Sequence, residues 1–360
     1  MRILSATEAI SPAIARTKLI LFKPFRLGRT WKLAATGYLS GSASTFLPLP
    51  LVYLAFIPIV WHDHPAGSGA AIICSAVAVM MGIYIFIFYL CSRLRFAFFD
   101  IVLNRGEFVA PAWRKYGSQS RKWTLFKIAL GTFLFVLLAI PLIPLIRHFF
   151  VVFDKTQPFN GQDPSPAFAA ALFTIYGTLF LVYIVIGLFA LANSLLSDFV
   201  VPSLALEDTS LAEAFRRAGR LVRNEPGAVF VYALMKAVVF LVGGMASAIF
   251  FYIFLFVVVL VASILGFVGY FILHLLHVPR EVMVGLAIAV GFLLYISTIF
   301  YGTFFASGTL YTLTESYALY FLGGRYPLLG DLLDRSTPPS EPMTPPPNYL
   351  AYATPPNESL

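Results

Sequence analysis

Long stretches without a charged residue dominate this chain, and their spacing decides which elements the sequence predicts. Five of them contain no Asp, Glu, Lys or Arg: residues 33–62, 64–92, 164–197, 237–279 and 282–314. A sixth stretch, 128–146, is shorter. About 20 apolar residues cross a bilayer as a helix, so each stretch is long enough to span a membrane. The pattern predicts an all-α, polytopic transmembrane helix bundle of about six spans within residues 33–322.

The number of spans depends on residues 227–277, which are too long for one span and contain no polar turn. They form either one long helix that ends in a re-entrant or interfacial piece after Gly266, or a hairpin that turns near Gly243 and Gly244. The hairpin would leave only residues 228–242 as a span, which is short for a bilayer. Six spans are therefore preferred to seven.

Composition and charge support a membrane location and orient the chain in the membrane. The chain is 59% hydrophobic and 12% charged, whereas soluble domains carry about 25% charged residues. The net charge of +8 would suit nucleic acid, but the Lys and Arg residues lie beside predicted spans, as cytoplasmic positive charge does. Six spans place 22 of them on one side and 3 on the other; seven spans give 21 and 4. We expect a multi-pass protein of the cytoplasmic (plasma) membrane, with a cytoplasmic N-terminus and no nucleic-acid partner. The side of the C-terminus is left open.

The two ends of the chain differ from the predicted bundle. Residues 1–32 are predicted as a basic interfacial segment, whose short helix starts at Ser11-Pro12 and runs to about Phe22. Residues 323–360 are predicted as a disordered tail, since 8 of the last 25 residues are Pro. A PPxY match at 346–349 indicates either a docking segment for a protein partner or part of a solvated tether. The oligomeric state is left open.

One long polar passage, residues 198–226, interrupts the apolar second half of the chain. Ser210 and Glu213 have the spacing of a capping box, which starts a helix. The following apolar residues share one helical face: Leu211, Ala214, Phe215, Ala218 and Val222. Four arginines occupy much of the remaining helix surface: Arg216, Arg217, Arg220 and Arg223. The passage predicts a cytoplasmic amphipathic helix whose arginines either bind anionic lipid or pair with Glu207, Asp208 or carboxylates of the tail.

The same passage resembles a known type of membrane domain. Its residues are FVVP at 199–202, an acidic pair at 207–208, and AEAFRRAGRLV at 212–222. They are similar to the membrane domain of some glycerophosphoryl diester phosphodiesterases, and residues 9–41 resemble the start of an uncharacterised bacterial multi-span family. The phosphodiesterase catalytic domain is absent, because no polar stretch is long enough for a barrel. The resemblance implies a six-span membrane domain and does not indicate any particular activity.

Lys236 is the most informative single residue of the predicted spans. It lies ten positions beyond Pro226, about 15 Å along a helix. A lysine at that depth either extends its ammonium back to the surface or pairs with a carboxylate, for which Asp198 and Glu315 are the candidates. Ionisable groups within a membrane indicate functional sites.

Motifs for catalysis or metal binding do not emerge from the sequence. It contains no HExxH, Walker A or GxSxG motif, so we expect no enzyme and no cofactor. His62-Asp63-His64, and the pair His274 and His277, lack the further ligands that a metal ion needs.

Small residues recur at four-residue spacing in two of the predicted spans, a pattern that favours close helix packing. They are Gly243, Gly244, Ser247 and Ala248, and later Gly302 and Ala306.

The sequence leaves two functions open. The first is a structural or accessory membrane scaffold that engages anionic lipid or a partner from the cytoplasmic side. The second is a transporter of a small solute or lipid. A polar-lined cavity would favour transport, and a tightly packed bundle would favour the scaffold.

Overall fold

A computed structural model of the protein describes residues 2–42, 68–106, 108–156 and 166–336, and these residues form helices without any strand. The helices are α1 (Ile10–Phe22), α2 (Leu27–Ser42), α3 (Ser68–Asn104), α4 (Val109–Lys115), α5 (Gly117–Thr156), α6 (Pro166–Glu207), α7 (Leu211–Asn224), α8 (Pro226–Leu275), α9 (Arg280–Gly323) and α10 (Pro327–Ser336). The prediction of an all-α fold is confirmed for this part of the chain.

Helices α3, α5, α6, α8 and α9 are long and apolar enough to cross a membrane. The protein is therefore a membrane protein with several candidate spans. Its first predicted span lies only partly within the described residues, because α2 ends at Ser42 and residues 43–67 lie outside them. Five candidate spans are thus seen where about six are predicted.

Helix α8 answers the question that the sequence left open for residues 227–277. It runs without a break from Pro226 to Leu275, through Gly243, Gly244 and Gly266. The hairpin alternative is therefore wrong, and the helix also continues past the proposed re-entrant point. The chain turns only at residues 276–279, where α9 begins and packs antiparallel to α8.

Two other predicted boundaries are also displaced. Helix α5 continues to Thr156, well beyond residue 146, where the charge-free stretch ends, and so extends nearly three further turns. Helix α10 occupies residues 327–336, within the predicted disordered tail, because Leu329 and Leu333 are fully buried. The rest of that tail, including the PPxY match, lies outside the described residues.

The apolar core is concentrated at one end of the long helices, which we call the core end. Large, fully buried side chains meet there: Phe96, Phe98 and Phe99 of α3, Trp123 of α5, Tyr232 of α8, and Tyr317 and Phe321 of α9. Helix α1 joins this core by burying five residues, among them Arg16 and Leu21, and starts at Ile10 rather than at the predicted Ser11-Pro12 cap.

Away from the core end, the long helices expose their apolar side chains. No residue of α8 from 237 to 275 is buried. A helix that is apolar on all sides and unburied within the protein matches a lipid environment. Each long helix thus has one part that packs in the core end and another part whose apolar side chains are exposed.

Small residues bring the helices close together where the sequence predicted it. Gly302 lies against Phe251 and Phe254, and the Ser247 hydroxyl donates to the Ala306 carbonyl over 3.2 Å. A close approach also joins α2 and α9, where a Cβ on Gly308 would lie 2.0 Å from the Ala34 carbonyl oxygen. Only glycine allows this crossing, which fixes α2 beside α9.

Candidate functional site

Five ionisable side chains form a layer inside the bundle, just beyond the core end. They are Arg95 of α3, Lys127 of α5, Asp198 of α6, Lys236 of α8 and Glu315 of α9. Each lies eight to ten positions from the core end of its helix, which is about 12–15 Å of helix rise. The equal depth places all five at one level of the bundle. We call this set the charged layer.

Asp198 lies at the centre of the charged layer. Its carboxylate accepts hydrogen bonds from the Tyr232 hydroxyl over 2.7 Å and from the Lys236 ammonium. Arg95 approaches the second carboxylate oxygen at 3.3 Å. Because the Asp198 side chain is 1% exposed, these three donors replace the water that a carboxylate needs.

Arg95 connects the two acidic residues. Its Nη1 lies 2.6 Å from Oε2 of Glu315, while its Nη2 faces Asp198. The structure thus brings together Lys236, Asp198 and Glu315, the three residues singled out in the sequence. Lys236 contacts Asp198 directly, and Glu315 joins the set through Arg95.

The sequence did not identify Arg95 as a buried residue. The charge-free stretch 64–92 ends before it, so Arg95 was grouped with the basic residues that follow. A signal was available in the residues that follow. Positions 96–99 read FAFF, and all four are buried. Apolar residues that follow an arginine on the same helix indicate that the helix is still buried at that point, and therefore that the arginine lies inside the bundle.

Lys127 adds another cation on the α5–α6 side of the layer. Its ammonium donates to the Asn193 side chain and to the Ser197 hydroxyl, the latter over 3.0 Å. It also lies 4.7 Å from the centre of the Trp123 ring, a cation–π distance. Lys127 is only 2% exposed, so polar and aromatic groups surround the charge.

A cavity of about 580 Å³ opens beside the charged layer. Arg95, Asp198, Lys236 and Glu315 line its polar part together with Ser40, Ser92, Ser194, Ser197 and Thr314. Apolar or small residues line most of the rest, including Tyr183, Gly187, Ala190 and Leu191 of α6 and Ala237, Phe240 and Leu241 of α8. The cavity therefore combines a charged base with walls that can contact hydrocarbon.

The four arginines predicted to bind lipid lie on α7, away from this cavity. The Ser210 hydroxyl accepts from the Glu213 amide at the helix start, and the Glu213 carboxylate contacts Arg216, Arg217 and Arg220 at 3.0–3.4 Å. Arg217 also pairs with Glu207, and this hydrogen bond raises the pKa of Arg217. Arg223 is exposed and makes no ion pair with the described residues.

Further polar contacts tie the helices together at the core end. Arg325 pairs with Glu225 at 2.8 Å and donates to the Leu4 carbonyl, so the start of α8 is held to both ends of the described chain. Tyr116 donates to Asp100 over 2.6 Å. Burial and that hydrogen bond raise the pKa of Tyr116.

The histidines do not form a metal site in the part of the chain that the structure describes. His274 and His277 lie near the end of α8, and no group of three or more metal-binding side chains occurs among the described residues. His62-Asp63-His64 lies outside them.

The fold and the charged layer define a class of protein: a multi-helix membrane protein with buried ionisable groups at one depth of its bundle. The chain matches a family of unknown function (DUF7544) over residues 4–332, and it belongs to that family. No curated protein and no solved structure matches it. The comparisons show no link to the membrane domain of glycerophosphoryl diester phosphodiesterases.

Proposed function

We propose that this protein binds a small amphipathic solute or lipid in the cavity beside the charged layer and transports it through the membrane. The observation that carries the proposal is the cavity of about 580 Å³, whose charged base adjoins apolar walls. A polar-lined cavity is expected of a transporter and not of a tightly packed scaffold, so it supports transport.

The buried charges support a binding role. Removing charges from water is costly, and an apolar replacement of a buried ion pair is often as stable as the pair itself. Bundle stability alone therefore gives little reason for five ionisable groups at this depth. Ionisable residues inside membrane bundles commonly mark solute or ion pathways.

The charges of the cavity favour a particular chemical class of solute. Arg95 and Lys236 supply two positive charges, and Asp198 and Glu315 supply two negative charges, all at the cavity surface. A zwitterionic head group can pair with both signs, while an acyl chain can contact Leu191, Phe240 or Leu241. We therefore infer that the solute is a zwitterionic amphiphile rather than a simple ion.

Gly187 provides a direct test, because it lines the cavity and a Cβ added there meets no atom within 4 Å. Gly187→Leu should occupy the cavity without disturbing helix packing. Gly177→Leu is the matched control, since Gly177 also lies on α6 in open space but does not line the cavity. The assay is movement of fluorescent phosphatidylcholine between the leaflets of proteoliposomes.

We expect flux in the wild-type protein and in Gly177→Leu, and loss of most of that flux in Gly187→Leu. Equal thermal stability of the two variants would show that the loss does not come from unfolding. Flux no higher than in protein-free liposomes, or unchanged in Gly187→Leu, would contradict the proposal. The proposed process contains no chemical reaction and requires no cofactor.

A scaffold that engages anionic lipid through α7 is a second candidate. It is supported by the exposure of Arg216 and Arg220, whose side chains are 69% and 62% exposed although both contact Glu213. Three of the four arginines share one carboxylate, so a net positive charge faces solvent on α7. Replacing Arg216, Arg220 and Arg223 by Gln should then reduce the anionic lipid that co-purifies with the protein. An unchanged lipid composition would contradict this candidate.

Both candidates place the protein in the cytoplasmic membrane with its N-terminus in the cytoplasm. The support is the distribution of Lys and Arg along the chain, since positive charge is retained on the cytoplasmic side. The core end would then face the cytoplasm. A partner that binds the Pro-rich tail would meet the protein on the side where the tail emerges.

A further inference from the structure

A second, smaller pocket lies at the core end and shares no lining residue with the cavity beside the charged layer. It has a volume of about 270 Å³ and lies between the end of α1, the start of α2, and the ends of α3 and α10. Its lining residues are Leu19, Ile20, Lys23, Pro24, Arg29, Asn104, Arg105 and Ser336. Three of these eight are basic and none is acidic.

Backbone geometry fixes one of the basic residues. Arg105 follows the last residue of α3 with a φ of 54°, a left-handed conformation that ends the helix. The next amide, of Gly106, donates to the Ile101 carbonyl over 3.0 Å, which closes the turn. Arg105 is thereby held at the pocket by the helix end rather than by a flexible loop.

Positive charge is crowded around this turn. The buried Arg16 donates to the carbonyls of Val102 and Leu103 and to the Ser336 hydroxyl. Burial lowers the pKa of Arg16, and the positive charge of Arg105 lowers it further. Lys23 and Arg105 make no ion pair with the described residues. An anion in the pocket would relieve this repulsion.

Exposed apolar side chains adjoin the same corner. Phe25 is 55% exposed and Leu27 is 71% exposed, and the ring of Phe25 stacks on Phe22 at 6.4 Å. Basic residues beside exposed aromatic residues are typical of a membrane interface. The first predicted span also begins just after this corner, so the pocket lies at the level where lipid head groups are expected.

We propose that this pocket binds a phosphate group and that its source is the head group of an anionic lipid. Lys23 and Arg105 supply the positive charge, and Phe22, Phe25 and Leu27 contact the adjoining acyl region. The site is separate from the transport cavity and from the arginines of α7, and it does not depend on the transport function. It would hold one lipid against α1, α2 and α3.

The test measures binding of dihexanoyl phosphatidic acid to the full-length protein in detergent by native mass spectrometry. Each basic residue near a lipid surface contributes about 1 kcal/mol, which is about a five-fold change in affinity. We expect Lys23→Gln and Arg105→Gln each to weaken binding about five-fold, and the double variant about 25-fold. Arg26→Gln is the control, because Arg26 is exposed in the same turn but does not line the pocket.

Two further arms distinguish the source of the phosphate group. Competition by millimolar inorganic phosphate would show that the phosphate group alone is sufficient for binding. Binding of phosphatidic acid that inorganic phosphate does not displace would show that the acyl chains are required, as a membrane lipid implies. Either result supports a phosphate site, and only the second supports the lipid as its occupant.

The proposal is overturned if the double variant binds phosphatidic acid as tightly as the wild type, or if Arg26→Gln weakens binding as much as Arg105→Gln. Lys23 is exposed, so Lys23→Gln alone remains a valid test if substitution of Arg105 disturbs the turn. Dihexanoyl phosphatidylcholine serves as the ligand control, and it should bind at least five-fold more weakly than phosphatidic acid.

Discussion

Replacing Lys236 with Met removes one charge from the charged layer while keeping a side chain of similar length. In the wild-type protein the Lys236 ammonium contacts Asp198, and Lys236 is 2% exposed. The substitution leaves the Asp198 carboxylate buried with Tyr232 and Arg95 as its remaining donors. Arg95 is shared with Glu315, so two carboxylates would then depend on a single guanidinium.

The magnitude follows from what Asp198 retains. Breaking a buried ion pair by removing one partner costs about 3–5 kcal/mol when the other charge is left uncompensated. Asp198 keeps two of its three donors, so we expect a cost of about 2–3 kcal/mol, no more than the lower end of that range. At about 2 °C for each kcal/mol in a large domain, the midpoint of thermal unfolding should fall by about 5 °C.

The assay follows exposure of the buried Cys91 thiol with a thiol-reactive fluorophore during heating in detergent. Cys74 is exposed and would react in the folded state, so all proteins carry Cys74→Ala. Lys122→Met is the control, because Lys122 is exposed on α5, and an exposed substitution should change stability by no more than about 0.5 kcal/mol.

A double-mutant cycle separates pairing from general sensitivity of the site. Asp198→Asn combined with Lys236→Met should cost less than the sum of the two single substitutions, by about 1–3 kcal/mol. An unchanged midpoint for Lys236→Met would refute the pairing. It is the result expected if the Lys236 ammonium extends to the surface, because its removal would then leave no buried carboxylate without a partner. Strictly additive costs would refute it as well.

Three further predictions concern packing, pH and topology. Gly308→Ala should destabilise the protein by about 3 kcal/mol or more, because the new Cβ would overlap the Ala34 carbonyl. Gly219→Ala is the control, since Gly219 lies in open space on α7, and it should be neutral or stabilising in the same thermal melts. The pKa of Tyr116 is raised in the folded state, so the folded protein keeps a proton that the unfolded chain releases near pH 10. The contribution of Tyr116 to the free energy of unfolding is therefore complete below about pH 10 and is lost as the pH rises above it. Tyr116→Phe should lose less stability than the wild type between pH 8 and pH 11, and an equal loss would contradict this prediction. A cysteine at the exposed Ser118 should resist a membrane-impermeant thiol reagent in intact cells, and ready labelling would overturn the proposed orientation.

The long helices could be predicted from the sequence, but their ends could not. Charge-free stretches placed α3, α6, α8 and α9 correctly, because insertion into hydrocarbon depends on the local composition of each segment. The observed helix ends differ from the predicted ones because a helix continues past its apolar stretch where other helices pack against the added residues. Helix α10 is the clearest case, since its polar sequence is helical only where Leu329 and Leu333 are buried by the core.

The charged layer was only half visible in the sequence. Lys236 was conspicuous because it lies alone in an apolar stretch, and Asp198 and Glu315 border such stretches. Arg95 looked like one of several arginines in a basic segment. Its role depends on contacts to residues 103 and 220 positions away, and no periodicity in the chain records a pairing of that kind.

The sequence by itself determined that this is an α-helical membrane protein, since burying apolar side chains in lipid and closing backbone hydrogen bonds within each helix are local requirements. The tertiary structure alone decided which charges face one another and where a cavity remains. Those outcomes depend on how closely the helices approach, and small residues such as Gly308 set that approach through contacts with other helices. The 50-residue α8 and the sharing of Arg95 between two carboxylates therefore became apparent only when all helices were placed together.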